Sequence, residues 1–245
     1  MMKAILTGHS KGLGAAIAAD LLARGVAVHG IARGAAAQLA ARYPDLLQQT
    51  ELDLADSAAL GAWLAGPALA ASLAGCDTVL LINNAGTVQP VGPLALQDAG
   101  VVARAIAVNV AAPMMLAAAV AGACAPRAAC RILHVSSGAG RSAYPGWSVY
   151  CTTKAALDQH ARAVALDQNR KLRICSLAPG VIDTGMQAEI RATALERFPL
   201  RQRFDELKRN GELAAPARCA AALVDYLLAD RFGNSPVDDL RNSGA

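Results

Sequence analysis

Aromatic side chains are scarce in this 245-residue chain: two Trp, four Tyr and three Phe amount to 4%. With 54% hydrophobic residues overall and alanine throughout, the core must form by close approach of small side chains rather than by ring stacking. Charge is sparse too, at 17% of residues with a formal net charge of +4. The densest basic stretch, RFPLRQRFDELKRNGEL, is broken by acids and apolar residues, which argues against a nucleic-acid partner. Neither a CxxC pair nor a His/Cys ligand spacing occurs. Cys76, Cys124, Cys130, Cys151, Cys175 and Cys219 therefore read as reduced thiols of a cytoplasmic protein, with no disulfide and no metal expected. His9, His29, His134 and His160 stand alone and read as structural. No signal peptide precedes the first apolar run, since MMKAILTG leads straight into a strand-like segment and glycines. One uncharged run, 105–125, is long enough to cross a bilayer. Its Asn109, Pro113 and many alanines suit a buried helix better, so no membrane partner is expected.

What is present is an alternation. KAILT, VAVHGIA, LLQQTELD, TVLLIN, RILHVS and LRICSLA read as strands, most of them continuously apolar, as expected where helices cover both faces of a sheet. Helical patterns fill the gaps near 12–24, 35–43, 56–74, 94–125 and 147–169. Such βαβ alternation predicts an α/β fold with a doubly wound parallel sheet. No linker or repeat divides residues 1–245, so a single domain is expected. Residues 184–212 interrupt the alternation as a polar excursion, suited to a lid over a crevice. A helix near 215–230 and a short strand near 235–238 complete the sheet, bringing it to about seven strands.

The chemistry gathers at strand ends. LTGHSKGLGAAIA carries Gly8, Gly12 and Gly14 between the first strand and an Ala-rich helix, an order that lets backbone N–H groups approach a pyrophosphate. At the end of the second strand HGIARG offers Arg33 and no carboxylate until Asp45. An acid there would suit a ribose 2′-hydroxyl and an arginine suits a 2′-phosphate, so with Lys11 nearby NADP(H) is favoured over NAD. Asp53 ends the third strand, Asn83-Asn84-Ala85-Gly86 the fourth, and Ser136-Ser137 the fifth. Each could serve as an ordinary turn residue or cap. In SVYCTTKAAL, Tyr150 and Lys154 are four apart, so a helix would put phenol and ammonium on one face. Taken alone, that pair would read as a solvated surface pair.

Together, TGHSKGLG, NNAG, Asn109 in AVNV, Ser137 in HVSS, Tyr150 and Lys154 in YCTTK, and PGVIDT resemble the short-chain dehydrogenase/reductase family in order and spacing over nearly the whole chain. Within it, LAPGVIDTGMQ, FDELKRNGEL and FGNSPVDD are similar to the sepiapterin reductase subgroup and its bacterial carbonyl-reductase relatives. The resemblance implies a Rossmann fold, an NADP(H) cofactor, a small-molecule carbonyl substrate and a homodimer or homotetramer built on the two long helices. It also implies that Tyr150 is the proton donor and that Lys154 lowers its pKa and holds the nicotinamide ribose. Ser137 would bind the substrate oxygen and Asn109 would support a proton-relay water. Gly8, Ser10, Lys11, Gly12, Leu13 and Gly14 would form the pyrophosphate loop, and Arg33 would meet the 2′-phosphate. Asp53 would meet the adenine, with Asn84, Ala85 and Gly86 along the adenosine side. Pro179, Gly180, Val181 and Thr184 would hold the nicotinamide end. Tyr144 and Trp147 are candidate substrate contacts, as is Asp238, at the place where the subgroup anchors a pterin. Gly185 departs from the acid usual in those relatives. The expected activity is reduction of a ketone, a diketone or a pterin-like side-chain carbonyl. Alcohol oxidation and a non-catalytic cofactor-sensing module are the alternatives.

Overall fold

The structure, a computed structural model, describes residues 1–124, 128–167, 169 and 171–242. Ala125, which ends the uncharged run, and Gln168, within the helix expected over 147–169, lie outside the described residues. Seven strands form one parallel sheet: β1 (Met2–Thr7), β2 (Ala27–Ala32), β3 (Leu47–Glu51), β4 (Thr78–Asn83), β5 (Ala129–Val135), β6 (Leu172–Ala178) and β7 (Val237–Asp239). Their order is β3-β2-β1-β4-β5-β6-β7. The chain thus winds outward from β1 to β3, then returns to β1's other side and winds outward again. This reversal opens a crevice beyond the carboxyl ends of β1 and β4, where ligands bind in open α/β sheets. The fold is the expected doubly wound α/β Rossmann architecture.

Alternating strand residues feed two cores. On one face Ala4, Leu6, Val28, Leu80, Ile82 and Leu133 meet helices α1 (Gly12–Ala23) and α10 (Pro216–Leu228) through Ile17, Leu21, Leu223 and Leu227. On the other, Ile5, Ile31, Val79, Leu81, Ile132 and Ile174 meet Leu60, Leu69, Leu116, Val120 and Ala161. Burying a Leu or Ile side chain contributes roughly 1.5–3 kcal/mol, so the two layers hold the strand ends firmly.

Several helices differ from the sequence expectation. α2 (Ala37–Arg42) is short, and the stretch 56–74 forms two helices, α3 (Ser57–Ala65) and α4 (Pro67–Leu73). Gly66 adopts an extended backbone between them and Pro67 starts α4, where its missing N–H is harmless. The stretch 94–125 is also divided. A 3-10 turn at Leu94–Leu96 precedes α5 (Ala99–Ile106), capped by the Asp98 carboxylate, which accepts from Val101 N–H. A π-helical turn, Ala107–Ala111, leads into α6 (Ala112–Ala123), which has Pro113 in its first turn. A π turn shifts the hydrogen-bond ladder where a proline supplies no N–H. Ala99–Ala123 is long and apolar enough to cross a membrane, yet its Ala112, Leu116, Ala117 and Val120 pack on the sheet. α7 (Ser148–Ala165) follows β5, and residues 184–212 hold two helices, α8 (Gly185–Ala192) and α9 (Arg201–Arg209).

Candidate active site

A cleft of about 1170 Å³ follows the crevice from Arg33 and Asp53, over the glycine loop, to Tyr150, Trp147 and Phe204. The loop after β1 requires its glycines. Gly8 sits at φ +71° and Gly12 at φ +56°, and a Cβ on Gly14 would lie 2.0 Å from the Gly8 carbonyl oxygen. The first N–H groups of an α-helix lack intrahelical acceptors, and no acid occupies the first turn of α1 to compete for them. This cradle fits a dinucleotide pyrophosphate.

Neighbouring strands brace the loop. Thr7 Oγ1 accepts from the N–H groups of Asn84 and Ala85, each at 3.0 Å, and Asn84 Nδ2 donates to the Thr7 carbonyl at 3.0 Å. Asn84 therefore holds the cradle with its side chain while lining the cleft. His9 is fully buried against Gly30, where any Cβ would lie 2.3 Å from the ring. Its Nε2 meets Gln49 Oε1 at 2.7 Å, and the same oxygen accepts from Ala36 N–H at 2.7 Å. The glycine loop is thereby linked to the turn carrying Arg33. Asp53 lines the cleft wall in an ion pair with Arg104 at 2.7 Å.

At the other end α7 presents Tyr150 and Lys154 on one buried face, 7% and 5% exposed. Lys154 Nζ donates to the Val135 carbonyl at 2.8 Å and lies 5.7 Å from the centre of the Tyr150 ring. Burial pushes the phenol up to about 12, opposed by a hydrogen bond with Ser137. Burial also brings the ammonium down to about 8, opposed by the charge of Asp158. A phenol held that high is protonated near neutrality and so has a proton to give, and the neighbouring Lys154 charge favours the tyrosinate that giving it would leave. Ser137 caps a 3-10 turn, Gly138–Gly140, its Oγ accepting from Ala139 N–H at 3.2 Å. The π turn delivers Asn109, whose Oδ1 accepts from Thr87 N–H at 2.9 Å. Asn109 Nδ2 donates to the Thr87 carbonyl at 2.8 Å and to Thr153 Oγ1 at 3.1 Å. Thr153 Oγ1 in turn donates to the Tyr150 carbonyl. Gly86 permits this crowding, since a Cβ there would be 3.3 Å from Asn109 Oδ1 and 3.7 Å from Lys154 Nζ.

Pro179, Gly180, Val181 and Thr184 line the far wall with Ser10, Lys11, Leu13 and Ala85 nearer the loop. The Thr184 methyl lies 3.6 Å from where a Gly12 Cβ would sit, so the start of α8 closes over the cradle. Tyr144, Trp147 and Phe204 also face the cleft. Trp147 stacks on Phe198 at 4.7 Å and meets Tyr150 edge-on at 5.3 Å. Asp238 is placed elsewhere: its Oδ2 accepts from Tyr226 Oη at 2.9 Å, and it is not part of the cleft wall. β7 turns this carboxylate toward α10, and among the described residues the C-terminal one that reaches the cleft is Arg241, paired with Asp239 at 2.6 Å. That corrects the expectation of a C-terminal acid at the substrate. Thr7, Gln49, Thr153 and Arg241 are site-supporting residues that sequence reasoning missed: Thr7 meets Asn84 77 positions away, Gln49 meets His9 40 away and Thr153 meets Asn109 44 away, and no local motif marks any of the four. Among the described residues no group of three or more His, Cys, Asp or Glu could hold a metal ion.

A family model described as short chain dehydrogenase matches residues 2–195. The chain belongs to the short-chain dehydrogenase/reductase family. A benzil reductase ((S)-benzoin forming) of Bacillus cereus is 35% identical over 244 residues, covering 97% of this chain and 98% of the relative. A sepiapterin reductase of Meriones unguiculatus is 33% identical over 242 residues, covering 93% and 92%. A crystal structure of a short-chain dehydrogenase/reductase from Burkholderia vietnamiensis is 52% identical, covers 99% of this chain and 98% of its own, and superposes with a TM-score of 0.73. This short-chain dehydrogenase/reductase is thus an oxidoreductase acting on C=O and CH–OH groups of small molecules, in a family that uses NAD(P).

Proposed function

We propose that the enzyme is an NADPH-dependent reductase of aromatic ketones and 1,2-diketones. The observation that carries this reading is the aromatic wall of Tyr144, Trp147 and Phe204, backed by Phe198, beside the Tyr150 phenol. An apolar ring-lined wall favours aryl groups through offset and edge-on contacts of about 0.5–1.5 kcal/mol each. The Bacillus cereus relative named for benzil reduction supports the same class. A pterin anchored by a C-terminal acid fits less well, because Asp238 is engaged by Tyr226 and Arg241 reaches the cleft instead.

The glycine loop and the Pro179–Thr184 wall would hold a nicotinamide cofactor, which would supply the hydride for the carbonyl carbon. Tyr150 Oη then gives its proton to the carbonyl oxygen, while Ser137 Oγ donates a hydrogen bond to that oxygen as charge develops. The Lys154 ammonium favours the tyrosinate left behind. Asn109, fixed by Thr87 and Thr153, keeps the neighbourhood of Lys154 polar for proton return. Arg33 and Lys11 would meet the 2′-phosphate, and α8 with α9 would act as the lid. Oxidation of an alcohol through the same groups passes through the same transition state, so turnover assayed in both directions separates that alternative from reduction. A purely sensing module would have no use for Ser137 set beside a buried Tyr150 and Lys154. We further read the six free cysteines as those of a cytoplasmic protein and 1–245 as one domain.

The test is a carbonyl panel of benzil, related aryl diketones, simple ketones and sepiapterin, followed by loss of NADPH absorbance. Benzil-type substrates are expected to turn over best, and Tyr150→Phe to lower kcat by about 10²- to 10⁴-fold with cofactor binding retained. Near-normal turnover by Tyr150→Phe would sink the mechanism, and turnover of sepiapterin alone would sink the substrate class.

A further inference from the structure

Behind the catalytic face lies a carboxylate to which the mechanism assigns no role. Asp158 follows Lys154 by one turn of α7 and is 1% exposed. Its Oδ1 accepts from Ser136 Oγ at 2.8 Å and from Ser176 Oγ at 2.6 Å, and its Oδ2 accepts from Arg141 Nε at 3.2 Å. One side chain therefore joins the end of β5, the strand β6, the turn after Ser137 and the helix bearing Tyr150. Arg141 extends the brace to β7, donating to the Asp238 carbonyl at 2.8 Å. The packing is tight: a Cβ on Gly140 would lie 3.0 Å from Asp158 Oδ2 and 3.0 Å from the Lys154 carbonyl oxygen. A buried carboxylate with three donors is retained only where its partners hold it, since an unpaired one would be strongly destabilising.

We propose that Asp158 is a positioning residue for carbonyl reduction, holding the serine-bearing turn and the tyrosine-bearing helix in one register. Ser136 adjoins Ser137, and Arg141 closes the turn that Ser137 caps, so both tethers fix the backbone that carries the Ser137 hydroxyl. The third tether, through α7, acts on Tyr150 and Lys154. A displacement of about 1 Å between such groups can cost on the order of 10²-fold in rate. The carboxylate also acts through its charge. The charged groups around it are Lys154 and Arg162 on α7, Arg141 on the turn, and Asp238 and Asp239 behind Arg141 on β7, with the Cys175 thiol on β6. Its influence raises the Lys154 pKa against the effect of burial. Lys154 thus keeps its ammonium to higher pH than it would alone.

The inference rests on the reductase reading, and Tyr150→Phe tests that reading separately. In the full-length enzyme with NADPH and benzil, Asp158→Asn is expected to lower kcat about 10- to 100-fold with KM for NADPH within about twofold. The alkaline limb of its kcat profile should move to lower pH by roughly one unit, because the charge sustaining Lys154 is gone. The Ser136→Ala/Ser176→Ala double variant keeps the charge and loosens the brace. It is expected to lower kcat by about tenfold and leave the alkaline limb in place. Should Asp158→Asn fail to fold, the double variant still decides: wild-type kcat in it overturns the positioning role. Wild-type kcat and an unshifted limb in a folded Asp158→Asn, alongside an inactive Tyr150→Phe, overturn this inference alone.

Discussion

Arg33 stands exposed at the carboxyl end of β2, where its neighbours along the cleft are the glycine loop and the Asp53–Arg104 pair. Asp53 is held below the usual carboxylate range: burial works the other way, but the Ala55 N–H, Arg104 and the charge of Arg33 outweigh it. With its own acid neutralised by Arg104, this end of the cleft leaves Arg33 and Lys11 to face an incoming anion. A hydrogen bond to a charged group contributes about 1.5–3 kcal/mol, which corresponds to roughly 10- to 100-fold in affinity. Arg33→Ala is therefore expected to raise KM for NADPH by about that factor and to leave KM for NADH unchanged. Steady-state kinetics with both cofactors check this, and equal efficiency of the wild-type enzyme with NADH and NADPH would rule out the 2′-phosphate assignment. The bridge from His9 through Gln49 to Ala36 N–H should matter here too, since it sets how far the Arg33 turn stands from Lys11.

The strands were readable because a parallel sheet covered on both sides demands continuous apolar runs, and TVLLIN and LRICSLA supply them with few other readings available. Ser137 and the glycines stood out for a related reason: small or polar residues at strand ends face the crevice that the winding creates. Tyr150 and Lys154 lie on a helix, where spacing alone suggested a surface pair and only the family resemblance pointed to the site. The divisions of the helices were less visible. Gly66-Pro67 is a break that the helix expected over 56–74 ran through, and Pro113, the cue to the π turn at 107–111, lies beyond that turn within a long alanine-rich run. Asp238 and Arg241 lay beyond local reading altogether, because which of them enters the cleft depends on the twist of a three-residue strand against Tyr226 of α10. The helices also carry an unspent surface. Val101 and Ile106 of α5 are each 38% exposed, and Leu166, just past α7, is 79% exposed. We propose that these helices pair with those of a second copy. Light scattering is expected to give a dimer or tetramer mass, and Ile106→Glu to shift it toward the monomer. A monomeric wild-type enzyme at micromolar concentration would exclude the pairing.

Across the whole molecule, two buried imidazoles link the sheet to its helical layers. His29 on β2 meets Thr50 Oγ1 of β3 at 2.8 Å and Ser72 Oγ of α4 at 3.1 Å. His134 on β5 meets Asn83 Nδ2 of β4 at 3.1 Å and His160 Nδ1 of α7 at 3.0 Å. Burial, with nearby Lys3, brings His29 down to about 4, and burial with His160 and Lys154 brings His134 down to about 3. An unfolded chain would bind those protons near pH 6.5. Below that pH the unfolded state holds protons that the folded state refuses, so stability falls as pH falls, by about 1.4 kcal/mol per pH unit for each histidine. The loss begins below about 6.5 and ends near 4 for His29 and near 3 for His134. Stability from this source is complete above pH 7, so the neutral ring is the form the fold selects. Urea unfolding at pH 8, 6 and 5 is expected to show a midpoint that drops steeply between the last two values. His29→Gln and His134→Gln, which keep a polar partner without a titrating group, should each flatten that drop while lowering the midpoint at pH 8. A slope unchanged in both variants would mean that other groups carry the acid sensitivity.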